Sequence, residues 1–494
     1  LVAISINGGT ISGTVPARSF AGYDTITYVI SQTLRVDDEL TIPAGIVFKG
    51  SGSAYFDIYG TFNVLGTASN PVVFTGLDDD AYGKPGDTQQ NGQGSISTNG
   101  NRLVFRDLSD DNNVVDHALF RYSYSYAIYN ANCSPTISNT TFYRADDYGL
   151  SLVGSAAPTV EFCTFEDLQF PMITSLMTFP GSEQGNVLTG NTARGILIID
   201  NETLTQNYTL TKKSFAGIDN IPYIFDRYNV GTSAVLTIEP GVVLKFMQNG
   251  YMEVRNGLIA DGGSTPDSTI VFTSDRDDFY GGDTYADGDA NLANNQWWRG
   301  IYFLGESIDA DCYLNNCIIK NGTRRYSNGA HSANRGAVTI DNASPTIQNT
   351  LFIQNHRAII ARNTSLPTIT DCDFVETDPT YGYAVWNETG TVTITAENCW
   401  WNDATGPYHA TLNPDGLGER VSDNVDFTPW ISQTAKPIMG DVSLNGEVMP
   451  YDASLVLQHT VGNITMDAKQ VAVADVSGDQ TISSFDASLI LQYS

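Results

Sequence analysis

The chain has 494 residues, with 25 Lys and Arg against 55 Asp and Glu, which gives a formal net charge of −30. This charge argues against a nucleic-acid partner, because the phosphates would be repelled. No stretch approaches 18 apolar residues, so we expect no membrane insertion. The 45 Gly and 25 Tyr, with many Thr, Asn and Asp, are typical of a β-rich protein with frequent turns.

A short phrase repeats through the body of the chain. Its four copies are SPTISNTTF from Ser134, APTVEFCTF from Ala157, SPTIQNTLF from Ser344 and LPTITDCDF from Leu366. Pro135 and Pro158 are 23 residues apart, and Pro345 and Pro367 are 22 apart. A period of this length with three short β-runs is one coil of a β-solenoid, whereas a helical repeat would show a 3.6-residue pattern. We therefore predict an all-β parallel solenoid whose coils stack ~4.8 Å apart.

Stacked coils place equivalent side chains in columns along the axis. One column predicts an internal aromatic stack and consists of Phe142, Phe165, Phe352 and Phe374. A second column has an amide at a turn, at Asn139, Asn316, Asn349 and Asn398, where stacked amides can hydrogen-bond along the axis. The next position carries Thr or Cys, and we interpret its cysteines as small buried side chains. A disulfide between Cys372 and Cys399 is the alternative for that pair.

A longer repeat lies over the short one. The segment SFAG begins at Ser19 and again at Ser214, 195 residues later, which predicts a tandem duplication of the solenoid. The predicted parts are a first copy over 1–195, a second copy with a C-terminal cap over 196–430, a linker over 431–439 and a small module over 440–494. A solenoid does not close on itself, so we expect Trp400, Trp401 and Trp430 to cover the open end of the core.

Each copy contains an acidic loop that is a candidate calcium site. In the second copy six aspartates lie close together in the sequence, at Asp275, Asp277, Asp278, Asp283, Asp287 and Asp289. So many carboxylates repel one another unless cations lie among them. We therefore predict calcium binding by Asp283, Asp287 and Asp289. The first copy has Asn91 and Gln93 where the second has Asp287 and Asp289, so its loop is the weaker candidate.

The pattern changes near the C-terminus, where an oxygen-rich loop followed by an amphipathic helix begins at Gly440 and again at Ala474. The predicted calcium ligands alternate along each loop, and the last comes from the start of the helix. They are Asp441, Ser443, Asn445, Glu447 and Asp452 in the first loop, and Asp475, Ser477, Asp479, Thr481 and Asp486 in the second. Alternate side chains that converge on one point have the geometry of an EF-hand loop. The apolar eighth positions, Val448 and Ile482, are predicted to pair the loops.

Two family resemblances follow from these motifs. The LTI-x-PG-V phrase and the acidic GDT loop resemble the right-handed parallel β-helix repeat proteins of bacterial surfaces, over roughly residues 1–430. The two loops, each followed by D-A-S-L-x-L-Q, resemble a type I dockerin. This resemblance implies calcium as cofactor, a cohesin-like domain as partner, and a secreted prokaryotic protein located outside the cell or at its surface. The positions that match the recognition residues of that family are Pro450, Tyr451, Ser484 and Phe485, which are not its usual small hydroxyl pair.

Catalytic phrases of the polysaccharide lyases and hydrolases that share the β-helix fold are missing from the sequence. The best basic cluster, Arg324, Arg325 and His331, has no nucleophile set beside it. Trp297 and Trp298 are interpreted as packing residues, with sugar stacking as the alternative. We therefore predict no enzyme.

The predicted function is that of an extracellular, non-catalytic structural or adhesive solenoid, assembled or anchored through its calcium-dependent module. Residues 1–18 match 196–213, where the second copy continues from the coils of the first. This match predicts an open upper edge in the first copy, which either upstream repeats or a neighbouring copy covers. In the second case the chain associates head to tail with other copies into a filament. The alternative function is a carbohydrate-active component of a cohesin–dockerin complex, such as a polysaccharide lyase, hydrolase or binding protein.

Overall fold

A computed structural model of the chain describes residues 2–52, 54–91, 100–288, 297–323, 335–377, 382–388, 390, 392–432, 439–444, 448–466, 468–477 and 481–493. Nearly every described element of the body is a short β-strand, and it pairs in parallel with strands of the neighbouring coils. The two compact units below together contain about 15 turns. The predicted all-β parallel solenoid is confirmed, and the α-helices are confined to the C-terminal module.

Compact unit 1 contains Leu1–Ile199, Lys213–Tyr223 and Asp283–Ala290, and it has three parallel sheets. The strands of its first sheet are Ile4–Ile6, Tyr28–Ile30, Val47–Gly50, Val72–Gly76, Ala118–Arg121, Thr141–Tyr143, Thr164–Glu166 and Val187–Thr189. Those of its second sheet are Gly9–Thr10, Leu34–Val36, Tyr55–Ile58, Arg102–Phe105, Tyr126–Ala131, Tyr148–Val153, Phe170–Thr174 and Ile196–Ile198. Those of its third sheet are Gly13–Thr14, Glu39–Pro43, Thr61–Leu65, Val114–Asp116, Thr136–Ser138, Thr159–Glu161 and Ser182–Gln184.

Compact unit 2 contains Asp200–Lys212, Ile224–Gly282 and Asn291–Ser494. Its first sheet consists of the start of Val243–Val254, then Ile270–Ser274, Cys317–Lys320, Leu351–Ile353 and Asp373–Val375. Its second consists of Glu202–Leu204, Tyr223–Val230, the end of Val243–Val254, Gly300–Phe303, Val338–Asp341, Ile359–Arg362 and Val385–Asn387. Its third consists of Tyr208–Leu210, Val235–Ile238, Gly257–Asp261, Cys312–Asn315, Thr346–Gln348, Thr368–Thr370, Ile394–Glu397 and Val425–Asp426. Pro407–Tyr408 pairs with Gly418–Arg420, and short 3₁₀ helices span Pro266–Ser268 and Asp309–Asp311.

The predicted aromatic stack forms the core of both units. In compact unit 1 the ring of Phe142 stacks on that of Phe165, with centroids 4.9 Å apart. In compact unit 2 Phe352 stacks on Phe374 at 5.2 Å, and Phe374 on Trp401 at 4.8 Å. All five side chains are buried. Such pairs add about 0.5–1.5 kcal/mol each to the free energy of burial, so the columns stabilise the stacking of coils.

The Thr and Cys column is buried as predicted, and a shared hydrogen bond explains why the two residue types interchange. The Thr140 hydroxyl donates to the carbonyl of Ser138 at 2.9 Å. The Cys372 thiol donates to the carbonyl of Thr370, at the matching position of its own coil, at 3.3 Å. A hydroxyl and a thiol therefore satisfy the same turn. All six cysteines are free thiols, so the alternative of a disulfide between Cys372 and Cys399 is not formed.

The Asn column differs from the predicted stack of amides. Its members have positive φ, 49° at Asn139 and 46° at Asn349, and they lie at half-buried or exposed corners. Their side chains donate to the neighbouring coil rather than to one another: Asn139 to the Asp116 carboxylate at 2.8 Å, and Asn349 to the Asn315 side-chain oxygen at 3.0 Å. Asn is favoured here because it tolerates the left-handed backbone of the corner.

The cap prediction is right for Trp401 and wrong for Trp400. Trp401 continues the aromatic stack and is fully buried. Trp400 faces outward, since neighbouring residues of a strand alternate between the two sides of the sheet. Trp430 packs over Gly406, where a Cβ atom would lie 2.5 Å from the indole ring.

Replacing Asn349 with Leu is expected to lower the free energy of unfolding by about 1–2 kcal/mol, because a larger L side chain is strained in the left-handed region. Asn349→Gly is the control and should stay close to the wild type, since glycine adopts this backbone freely. The measurement is the midpoint of urea unfolding of the full chain. Equal midpoints for the two variants would contradict the corner assignment.

Candidate calcium loops

The C-terminal module contains three helices, α1 (Pro450–Thr460), α2 (Ala468–Ala474) and α3 (Ser484–Tyr493). Pro450 stands at the first position of α1, where its missing N–H group has no partner to lose. Helices α1 and α3 pack against each other around a small apolar core. Its buried residues are Val442, Ala453, Val456, Met466, Val473, Ala474, Ala487 and Ile490. This core holds the two loops in front of α1 and α3 in matching positions.

In the first loop three predicted ligands lie together. The backbone N–H of Ser443 donates to Asp452 Oδ1 at 2.6 Å, and the Ser443 hydroxyl donates to Asp441 Oδ1 at 3.2 Å. Asp452 also accepts the backbone N–H of Met449 at 2.8 Å, which fixes the start of α1. Both carboxylates are buried, with Asp441 1% and Asp452 0% exposed. The loop therefore brings two carboxylates and a hydroxyl to one place.

The second loop repeats this geometry. The backbone N–H of Ser477 donates to Asp486 Oδ1 at 3.0 Å, and its hydroxyl donates to Asp475 Oδ1 at 3.3 Å. Asp486 is fully buried and also accepts the backbone N–H of Ser483 at 2.8 Å. The Thr481 side chain is exposed. The remaining predicted ligands, Asn445, Glu447 and Asp479, lie outside the described residues.

The loop residues fit calcium. Across the part of the chain that the structure describes, no Lys, Arg or His forms an ion pair with Asp452 or Asp486, although both are buried. A buried carboxylate is costly unless its charge is compensated. Carboxylate and hydroxyl oxygens are the ligands that Ca²⁺ prefers, and a bound ion would supply the missing positive charge. Asp441, Ser443 and Asp452 would hold it in the first loop, and Asp475, Ser477 and Asp486 in the second.

The residues predicted to contact a partner lie at the exposed starts of the two long helices. Pro450 and Tyr451 begin α1, and Ser484 and Phe485 begin α3. Tyr451 is 60% and Phe485 58% exposed. Two exposed leucines, missed in the sequence, lie six residues further along the same helices, at Leu457 and Leu491. The sequence contained a signal for these leucines, because both occupy the same position of the repeated D-A-S-L-x-L-Q phrase. We call Tyr451, Leu457, Phe485 and Leu491 the partner face.

The acidic loops are organised by protein donors. Asp283 accepts the backbone N–H groups of Tyr285, Asp287 and Gly288 at 3.1, 3.3 and 2.9 Å. Asp287 is exposed, and Asp289 lies outside the described residues. The calcium site predicted at Asp283, Asp287 and Asp289 stays a prediction.

A buried lysine, which sequence reasoning missed, anchors the acidic loop of the second copy. Lys245 is fully buried, and its ammonium donates to the carbonyls of Asp277 and Gly282 at 2.9 and 2.6 Å. The Asp277 carboxylate accepts the Thr273 hydroxyl at 2.5 Å and the Lys320 ammonium at 3.0 Å. The charge of Asp277 is thus compensated by lysine. We call this arrangement the lysine clamp.

The first copy has the same clamp. Lys49 is fully buried and donates to the carbonyls of Asp79 and Gly86 at 2.7 and 2.6 Å. The Asp79 carboxylate accepts the Thr75 hydroxyl at 2.6 Å and Arg121 Nε at 2.8 Å. Burial lowers the pKa of Lys49, while the nearby aspartates act in the opposite direction. The signal in the sequence was the lysine that ends the matching phrases LTIPAGIVFK and LTIEPGVVLK.

Replacing Lys245 with Met should lower the free energy of unfolding by about 2–4 kcal/mol, because the buried carbonyl of Asp277 and the partly buried carbonyl of Gly282 lose their donor. Lys212→Met is the matched control, since exposed Lys212 also donates to a carbonyl, that of Asp267, yet should change stability by about 0.5 kcal/mol or less. Urea unfolding of both variants measures the difference. If Lys245→Met costs no more than the control, the clamp does not hold the loop.

The comparisons with known proteins concern the C-terminal module. Residues 439–493 match the family model described as Dockerin type I domain. No curated protein and no solved structure matches the chain. The matched residues contain both calcium loops, all three helices and the partner face. The chain is therefore a parallel β-solenoid that carries a type I dockerin domain at its C-terminus.

Proposed function

We propose that this chain is an extracellular, non-catalytic solenoid that its dockerin domain anchors to a cohesin-bearing partner in a calcium-dependent manner. The observation that carries the proposal is the pair of loops with buried, converging carboxylates inside the region that matches the dockerin model. A dockerin implies cohesin-dependent assembly and calcium binding. The solenoid then serves as the structure that the domain holds in place.

A non-catalytic solenoid is supported by the structural contacts of the tryptophans and aspartates that were candidates for sugar binding or catalysis. Trp298 stacks on Phe246 at 4.3 Å inside the core, and the Trp297 indole N–H donates to Asp275 at 2.6 Å. Asp79 and Asp277 belong to the lysine clamps. Each of these groups has a structural partner. Arg324, Arg325 and His331 lie outside the described residues.

An extracellular location is supported by the dockerin domain, since such modules occur in secreted cell-surface proteins. In the described ranges, no helix has the length and apolar character needed to cross a membrane. Association with other copies of the chain into a head-to-tail filament stays a prediction of the sequence.

The partner face indicates which kind of cohesin surface it fits. Tyr451 and Phe485 are large, exposed and aromatic, and each lies on the same helix as an exposed leucine. Aromatic residues in a well-packed pocket dominate many protein interfaces. We therefore propose a cohesin whose recognition surface is apolar rather than shaped for small hydroxyl side chains.

Removing calcium tests the proposal. With calcium, the full chain should bind a matching cohesin from a panel, and hydrogen exchange over 450–460 and 484–493 should be slow. A chelator, or Asp441→Ala combined with Asp475→Ala, should abolish binding and speed exchange in these helices, because the buried carboxylates repel one another without the ion. Asp415→Ala, at an exposed position of the cap, is the control. Unchanged exchange after chelation would contradict calcium-dependent folding of the domain.

A carbohydrate-active role is the second candidate function, and Glu419 in the cap favours it. Burial raises the pKa of Glu419 to about 7, and its carboxylate accepts the backbone N–H of Thr377 at 3.1 Å. A carboxyl group that stays protonated near neutral pH suits a general acid. In this case the full chain should cleave a polysaccharide, and Glu419→Gln should lower the rate by about 10²–10⁴-fold. Absence of cleavage across a panel of polysaccharides would leave the non-catalytic role.

A further inference from the structure

An apolar column lies on the outer side of the first sheet in compact unit 2. Strand register aligns Val243, Val271, Ile318, Leu351, Asp373 and Trp400 on successive coils, so the column is apolar except at Asp373, which is fully buried. We call Val243, Val271, Ile318, Leu351 and Trp400 the outer ladder. They are 7, 4, 7, 2 and 8% exposed, although the aromatic stack occupies the opposite side of the same strands. Outward side chains of a solenoid normally face water, so another part of the chain covers this column.

The cover comes from the acidic loop, the cap and the C-terminal module. Tyr280, Ile431 and Val448 pack against the cluster that the outer ladder forms with Val375. Ile431 follows the cap directly. Val448 is the eighth residue of the first calcium loop, and it therefore places that loop against the solenoid. The dockerin domain is seated on the side of its own solenoid.

The same column in compact unit 1 is buried at Val73, which is 2% exposed, and is partly open to water further along. Its members, aligned by strand register, are Val47, Val73, Leu119, Thr141, Thr164 and Val187. Thr141 and Thr164 are partly exposed, and Val187 is 47% exposed. The phrase SPTISNTTF places Thr141 where SPTIQNTLF places Leu351. In compact unit 2 the column has four aliphatic residues, Trp400 and the buried Asp373, against four aliphatic residues and two threonines in compact unit 1.

The two calcium loops differ in their relation to this seat. Val448 packs both against the core of the C-terminal module and against the outer ladder. Its counterpart Ile482, at the same position of the second loop, packs against the core of the module. Val448 directly precedes Met449, whose N–H is held by Asp452 of the first loop. The conformation of the first loop therefore sets the position of the side chain that meets the solenoid.

We propose that the outer ladder is a docking seat for the chain's own dockerin domain, and that docking and calcium binding in the first loop strengthen each other. Such coupling is reciprocal, because any ion that favours the docked loop is itself bound more tightly when the loop is docked. The second loop binds calcium independently of the seat. In the full chain, calcium binding therefore depends on docking in the first loop and not in the second. This inference rests on the proposed calcium binding by the dockerin domain.

Docking and partner binding are compatible in this arrangement. The partner face stays exposed while Val448 is covered, with Tyr451 60% and Phe485 58% exposed beside the seated loop. The starts of α1 and α3 are therefore accessible while Val448 is covered. A bound partner is therefore presented at a fixed position on the solenoid rather than on a free tether.

The test measures calcium binding to the full chain by calorimetry, with hydrogen exchange of the two loops. Ile318→Thr combined with Leu351→Thr gives the seat the polar character that compact unit 1 has, and Ile431→Ser removes cover without touching the core of the module. Either change should weaken one of two calcium sites by on the order of tenfold and speed exchange in the first loop. Leu119→Thr, in the matching column of compact unit 1, should change the affinity of neither calcium site.

A second pair of variants separates docking from folding of the module. Val448→Ala and Ile482→Ala both remove methyl groups packed against its core, yet only Val448 also meets the seat. Val448→Ala should lower the affinity of the first site severalfold more than Ile482→Ala does. Equal weakening of both sites by the seat variants, or wild-type affinities in both, would overturn the proposal. A chain that binds no calcium at all contradicts the proposed function instead.

Discussion

The register of parallel backbone hydrogen bonds between successive coils is the constraint on which the rest of the structure depends. Once Phe120 is paired with Phe142, and Phe142 with Phe165, every other position of those coils falls into a column as well. A slip of one residue would turn each inward side chain outward. Core packing, corner geometry and loop anchoring are thus consequences of one repeated pairing. Residues distant in sequence acquire equivalent environments because they occupy the same column.

The duplication shows which columns tolerate change. The lysine clamp is present in both copies with similar hydrogen-bond lengths. In each copy a lysine binds the backbone carbonyl of an aspartate, and a threonine on the next coil binds its carboxylate. The third member changes from Arg121 to Lys320, because either cation neutralises the carboxylate. The outer column diverges further and follows what covers it. In compact unit 1 it holds the partly exposed Thr141 and Thr164, and in compact unit 2 it holds four aliphatic residues, the buried Asp373 and Trp400.

The sequence predicts the elements that repeat and misses the features that depend on contacts between residues distant in sequence. The repeat period and the phenylalanines were sufficient for the coils and their core, and the two repeated loop-and-helix motifs for the dockerin domain. Calcium binding by Asp441, Ser443 and Asp452 stays a prediction. The buried lysines were missed because a lysine in a strand ordinarily reaches water. Trp400 was assigned to the core although its neighbour Trp401 fills that place, since the direction of one side chain depends on exact register. The outer ladder resembles ordinary strand residues until its cover is known.

The Thr and Cys column has a consequence for the redox chemistry of the chain. Burial raises the pKa of the Cys163 thiol to about 12, and the other cysteines are buried as well. Only the thiolate attacks a disulfide, so the Cys163 sulfur is a poor nucleophile at neutral pH. All six cysteines are free and buried, so the stacking of coils depends on no disulfide. Mutation between threonine and cysteine along the column then alters neither the fold nor its dependence on the redox state of the surroundings.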